Sequence, residues 1–275
     1  MPIPNDMERA DIAALVDAPN ADLVRAALLF EREDRPGFNP QPALDTIAHW
    51  ARTIDDRLGG ARAPQALSEH IADLLFTELG FRGNRAQYDD PDNSYLSRVL
   101  ERRTGIPISL SLLYLGIGRE LGAPILPIGF PGHFLVQVGP ELLIDPFGEG
   151  RVLGPKSLSA LLREALGPQA QFRTEMVQPL TPRATLARMQ RNLKTIFMRR
   201  NQPEHALGVC DRLVFLLPDV AAERRDRGLV YEQLDCFSLA RRDFEAYLSV
   251  ASEAEDVPLI REHLVSVSQR EATLH

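Results

Sequence analysis

From Ala187 the chain repeats itself at an offset of 34 residues, and that period restricts what its C-terminal third can become. With Ala187 and Ala221 as equivalent starts, Phe197 superposes on Tyr231, Ala206 on Ala240, Cys210 on Phe244 and Leu213 on Tyr247. Asn201 and Asp235 coincide where each unit turns from its first helix into its second, and Pro218 closes the first unit. A small side chain where two helices cross, with an aromatic facing it, is what close helix packing requires, and a fixed period of this size marks a stacked array. The second unit has Gly228 at the small position of its first helix, where the first has Lys194. Two units fall short of the roughly three that such arrays need, so the last helix or the preceding domain is expected to cap them.

This pattern resembles the tetratricopeptide repeat, although an array of any helical hairpins would also satisfy it. The resemblance implies a groove for a peptide or a partner protein.

Ahead of the repeat the texture is different. The first ~80 residues read as helices, DIAALVDAP, ADLVRAALLFERE, PALDTIAHWARTIDDRL and APQALSEHIADLLFTELG, with apolar positions recurring at three and four between Pro and Gly breaks. DDPDNS is loop chemistry, with Asn93 or Ser94 as the expected N-cap of the helix YLSRVLERR and Gly105 as its end. After the helix PISLSLLYLGIGRELG come three short β-rich runs, 125–130, 133–138 and 142–147, bounded by Pro-Gly and Gly-Pro pairs. They are expected to be neighbouring antiparallel strands. One helix, SLSALLREALG, follows, and Pro168 to Pro182 reads as a linker or extended crossover.

The helix start at 107–109 has the making of a nucleophile's seat, because unpaired amides and the dipole of a first turn stabilise an anion. Such a nucleophile needs a histidine to move its proton and a carboxylate to orient that histidine. His133 and Asp145 follow in that order on adjacent strands, which brings them within hydrogen-bonding reach. Ser109 is the hydroxyl candidate, and capping or packing is its other reading. His133 could equally be a satisfied sheet-edge residue and Asp145 a turn former before Pro146. Asn93, Ser94 and Tyr95 precede the helix and could line the same cleft; Arg102 and Arg103 could hold an acidic ligand or simply end a helix in solvent.

The segment YDDPDNSYLSRVLERRTGIPISLSLLYLGIGRELG, with GFPGHFLVQV and IDPF, resembles the bacterial SirB-type family, a transglutaminase-like domain of papain-type fold followed by tetratricopeptide repeats. The resemblance covers about residues 25 to 250. It implies an α+β fold: a helical N-terminal region and a transglutaminase-like, cysteine-protease-like domain with a small antiparallel sheet over 1–182, then all-α repeats over 183–275. It also implies His133 as general base and Asp145 as orienting carboxylate. The family's cysteine stands about two residues after the glycine matching Gly105, at Pro107, and a shift of two residues gives Ser109. The first 209 residues contain no cysteine, so cysteine acyl transfer is not expected. The primary expectation is a degenerate transglutaminase-like protein that binds or regulates a protein or peptide through its repeats. The alternatives are a serine-dependent amidase, peptidase or acyl transferase using Ser109, His133 and Asp145, and a cleft that holds a peptide end or small amide without turnover.

Composition narrows the partners. The net charge of -7 all arises before residue 183, where 17 basic side chains face 24 acidic ones; residues 183–275 hold 14 of each. Nucleic acid is therefore not an expected partner. Runs such as ISLSLLYLGIG are too short to span a bilayer, so no membrane association is expected and the chain is placed in the cytoplasm. Cys210 and Cys236, with no CxxC and no His cluster beside them, suggest neither a metal nor a disulfide framework, and no cofactor is expected. Oligomeric state has no signature in the sequence.

Overall fold

A computed structural model describes residues 6–60, 62–251 and 253–273, which divide into two compact units, 1–189 and 190–275.

The first unit is built around one apolar helix. Helices α1 (Asp6–Asp17), α2 (Leu23–Asp34), α3 (Gln41–Leu58) and α4 (Pro64–Ala72) precede it, the last running into a π-turn at Asp73–Glu78. After the short strand β1 (Arg82–Gly83), α5 (Leu96–Arg102) and β2 (Thr104–Gly105) comes α6 (Pro107–Leu121), buried at every residue from Pro107 to Gly118. A helix apolar on all sides can lie only in a core, and α6 is covered by α2, α3 and the sheet. Proline suits its first position, where the missing N–H has no intrahelical partner. Gly122, at φ +63°, ends it in the left-handed conformation. Gly116 admits α2 and α3 closely, since a Cβ there would stand 2.7 Å from Val24 Cγ2 and 3.2 Å from Ile47 Cγ2.

Four antiparallel strands in sequential order, β3 (Ile125–Ile128), β4 (Leu135–Val138), β5 (Leu142–Asp145) and β6 (Arg151–Val152), form the sheet. The three expected runs are strands, each shorter than its apolar stretch. His133 consequently lies in the turn before β4 rather than on the strand, and Asp145 is the last residue of β5. Helix α7 (Pro155–Leu166) lays Leu158 and Leu162 against Ile128, Phe130 and Leu135. The segment 168–182 is not a free linker. Phe172, Met176 and Val177 pack on that same cluster, Pro179 bridges Ile128, and the Leu180 N–H donates to the Pro127 carbonyl at 2.8 Å.

Two local expectations are corrected. The N-cap of α5 is Tyr95, and neither Asn93 nor Ser94 caps it. Asn93 instead donates to the carbonyls of Gln87 and Tyr88 and accepts from Asn84 Nδ2, which ties down the 84–93 loop. The helix ends at Arg102, with Arg103 rather than Gly105 at positive φ.

The second unit continues α8 (Pro182–Arg199) with α9 (Pro203–Leu216), α10 (Ala221–Gln233), α11 (Phe237–Leu248) and α12 (Val257–Thr273). Equivalent positions behave alike: Ala206 and Ala240 are fully buried, and Asn201 and Asp235 both turn the chain at positive φ, 52° and 56°. Gly228 lies under the Phe244 ring, where a Cβ would stand 2.6 Å from it. Lys194, at the corresponding place, buries its stem and pairs with Glu223 at 2.6 Å and Asp226 at 2.5 Å on α10. Ile260 and Val267 of α12 close the Phe244 and Tyr247 cluster, so the last helix caps the array.

Candidate functional site

His133 and Asp145 are brought together by chain geometry. The turn Phe130–His133 closes with the His133 N–H donating to the Phe130 carbonyl at 3.0 Å, and Gly132 sits within it at φ +67°. A side chain at Gly132 would also collide with Ala165, its Cβ 2.4 Å away. The antiparallel pairing of β4 with β5 then sets the turn beside the end of β5, and His133 Nε2 meets Asp145 Oδ1 at 2.8 Å. Asp145 is opposite Arg151 in the β5–β6 register, and Arg151 Nη2 donates to the other carboxylate oxygen at 3.0 Å. Burial pushes the Asp145 carboxyl up, but the His133 hydrogen bond and charge, the Gly148 amide and the Arg151 guanidinium outweigh it and hold the group below its ordinary value. Asp145 is therefore an anion in the neutral range, fixed on both oxygens.

Phe147 floors the cleft in front of this pair. It can do so because Gly83 has no side chain: a Cβ there would lie 2.5 Å from the Phe147 ring. His133 and Tyr88 stand edge-on to that ring, at 5.9 and 6.2 Å, and the Arg85 guanidinium lies 4.6 Å above it. The cleft has a volume of about 440 Å³ and is also lined by Leu161, Glu164 and Ala165 of α7. A separate, more apolar cavity of about 210 Å³ beside Val24, Ile125 and Leu180 shares none of these residues.

Pro107, the first residue of α6, lines the cleft with His133 and Asp145; Ser109 does not. Ser109 is fully buried, and its hydroxyl accepts from the Ile106 N–H at 3.0 Å while donating to the Ile106 carbonyl at 3.1 Å. The structure thus assembles two of the three sequence candidates and turns the third back into its own helix start. Asn93, Ser94 and Tyr95 are also outside the cleft. Arg102 pairs with Asp90 at 2.7 Å and Asp92 at 3.3 Å, and Arg103 donates to the Leu79 carbonyl. Sequence reasoning missed Arg85, Arg151 and Glu164, which come from a loop, a two-residue strand and a solvent-side helix position and belong to no recurring pattern.

Both cysteines lie in the second unit and are free, Cys210 buried and Cys236 half-buried. Among the described residues, no group of three or more His, Cys, Asp and Glu side chains could hold a metal ion, and no helix is long and apolar enough to cross a membrane.

A sequence profile of the transglutaminase-like superfamily matches residues 41–191, and one of the tetratricopeptide repeat matches residues 193–264. A UPF0162 protein of Xylella fastidiosa (strain 9a5c) is 33% identical over 268 residues, 95% of each chain. A UPF0162 protein of Vibrio cholerae is 29% identical over 92% of this chain and 96% of its own. The protein SirB1 of Salmonella typhimurium is 26% identical over 93% of this chain and 96% of its own. No solved structure is a significant match.

Proposed function

We propose that this chain, which belongs to the UPF0162 family of transglutaminase-like proteins that includes SirB1, is a catalytically degenerate member that binds or regulates a protein or peptide. The observation that supports this reading is at the start of α6. The residue that faces the cleft beside His133 is Pro107, which has neither thiol nor hydroxyl. The nearby hydroxyl, that of Ser109, is held on both sides by Ile106. A serine needs its base in direct contact and an oxyanion site, and Ser109 would have to leave its turn to acquire either. The His133–Asp145 pair favours the rival reading, a serine-dependent amidase, peptidase or acyl transferase, because a buried orienting carboxylate is what an active histidine requires.

A fluorophosphonate probe separates the two. Wild type is expected to label no more than a Ser109→Ala control, whose main change is a stability loss of about 1 kcal/mol from the missing first-turn hydrogen bonds. Labelling that Ser109→Ala abolishes would establish the hydrolase.

Partner binding we assign to the repeats, the part of the chain that matches a tetratricopeptide profile. Proteins captured by the full chain are expected to be lost when residues 183–275 are removed; unchanged partners would sink the assignment. With both thiols free, we place the protein in the cytoplasm, where thiols stay reduced.

A further inference from the structure

The cleft carries incompletely paired side chains of both charges, which its family reading does not require. The Arg85 guanidinium carbon lies 4.6 Å from the centroid of the Phe147 ring, and the group has no carboxylate partner among the described residues, so its N–H donors are available to an acid. Arg151, which lines the same cleft with a half-exposed side chain, uses one Nη on Asp145 and keeps its other donors. Glu164, also in the lining, has no cationic partner among the described residues. His133 has Nε2 on Asp145, while its Nδ1 bonds to no other described residue. The lining also includes the rings of Phe147 and Tyr88 and the aliphatic side chains of Leu161 and Ala165.

We infer that this cleft receives the carboxyl-terminal end of a peptide, its carboxylate on Arg85 and Arg151, its last N–H groups toward Glu164, and its final side chain on Phe147. The inference rests on the reading of the cleft as a site of binding without turnover. A guanidinium fork matches a carboxylate bidentately, and this match is the chief attraction. A dianionic phosphate would gain the same fork but would face Asp145 and Glu164 in the same cleft, which disfavours it. A C-terminal residue carries one negative charge with a donor N–H close behind it, which suits a lining that offers both guanidinium donors and a carboxylate acceptor. The volume of about 440 Å³ suits one or two residues.

The test uses the full chain and two probes, N-acetyl-Ala-Ala-Phe as the free acid and as its carboxamide, followed by NMR at the His133 imidazole. The acid is expected to shift the resonance saturably and to bind about tenfold more tightly than the carboxamide. Arg85→Ala is expected to erase that preference, and Glu164→Gln to weaken both probes. Equal binding of acid and carboxamide, a preference that survives Arg85→Ala, or no shift with either probe would overturn the inference. Hydrolysis of the carboxamide to the acid, seen by mass spectrometry, would overturn the no-turnover reading instead, so the two failures are distinguishable.

Discussion

Pro107→Cys is expected to produce a thiol that iodoacetamide alkylates about tenfold faster at pH 6 than an ordinary surface thiol. An unperturbed thiol, with a pKa of about 8.5, is almost wholly protonated at that pH. One at a helix N-terminus beside a histidine has a pKa in the range of about 3.5–7.5 and is largely thiolate. The thiolate is less nucleophilic as its pKa falls, which removes part of the gain and leaves roughly an order of magnitude. The experiment belongs in a Cys236→Ser background. Cys210 needs no change, because burial pushes its thiol up to about 12 and closes it to the reagent. Adding His133→Gln is expected to return the rate to that of an ordinary thiol. A rate indifferent to His133→Gln would show that position 107 is not the nucleophile's seat, and the account of the cleft would fail with it.

The second large effect concerns the repeats. Asp243 of α11 is almost fully buried and accepts two hydrogen bonds from Arg227 of α10, 2.6 Å from Nε and 2.8 Å from Nη2. Arg227 also reaches Asp211 of α9 at 2.9 Å, so a single guanidinium ties three helices and both repeats together. Asp243→Ala removes the bidentate partner of a largely buried guanidinium and leaves it the single contact to Asp211. That puts the loss at the lower end of the about 3–5 kcal/mol typical of breaking a buried pair. For a unit of this size that corresponds to a fall in melting temperature of more than about 12 °C. Hydrogen exchange confined to 190–275 would locate the loss. Arg227→Met with Asp243→Leu, which removes both charges and keeps the volume, is expected to cost much less. Equal losses in the single and double variants would show that shape rather than charge holds the hairpins.

How much of this was readable depends on what each element answers to. The repeats were legible because their period is a packing requirement: Ala206 and Ala240 must be small and Asn201 and Asp235 must turn, and both pairs do so. The His133–Asp145 pair was legible because adjacent antiparallel strands place a residue before one beside the end of the next. Ser109 was misleading for an angular reason. Each helical residue rotates about 100°, so two residues turn a side chain through roughly 200°. If Pro107 faces the cleft, Ser109 must face away from it. Arg85, Arg151 and Glu164 could not be singled out, because each reaches the cleft through tertiary folding and no local period announces it. The N-cap of α5 failed in a similar way: the Asn93 amide found better partners in the 84–88 loop than at the helix below it.

The segment Pro168–Pro182 covers one border of the sheet. Strand β3 is that border, and its row of unused backbone groups would otherwise be a template on which a strand of another molecule could add. Pro127 withholds one donor there, while Pro179 and Leu180 occupy neighbouring positions from within the same chain. At the other border β6 is two residues long and begins with Arg151, too short and too charged to recruit a neighbour. A chain cut before residue 179 would keep the His133–Asp145 pair yet expose β3, and would be expected to assemble into strand-paired aggregates.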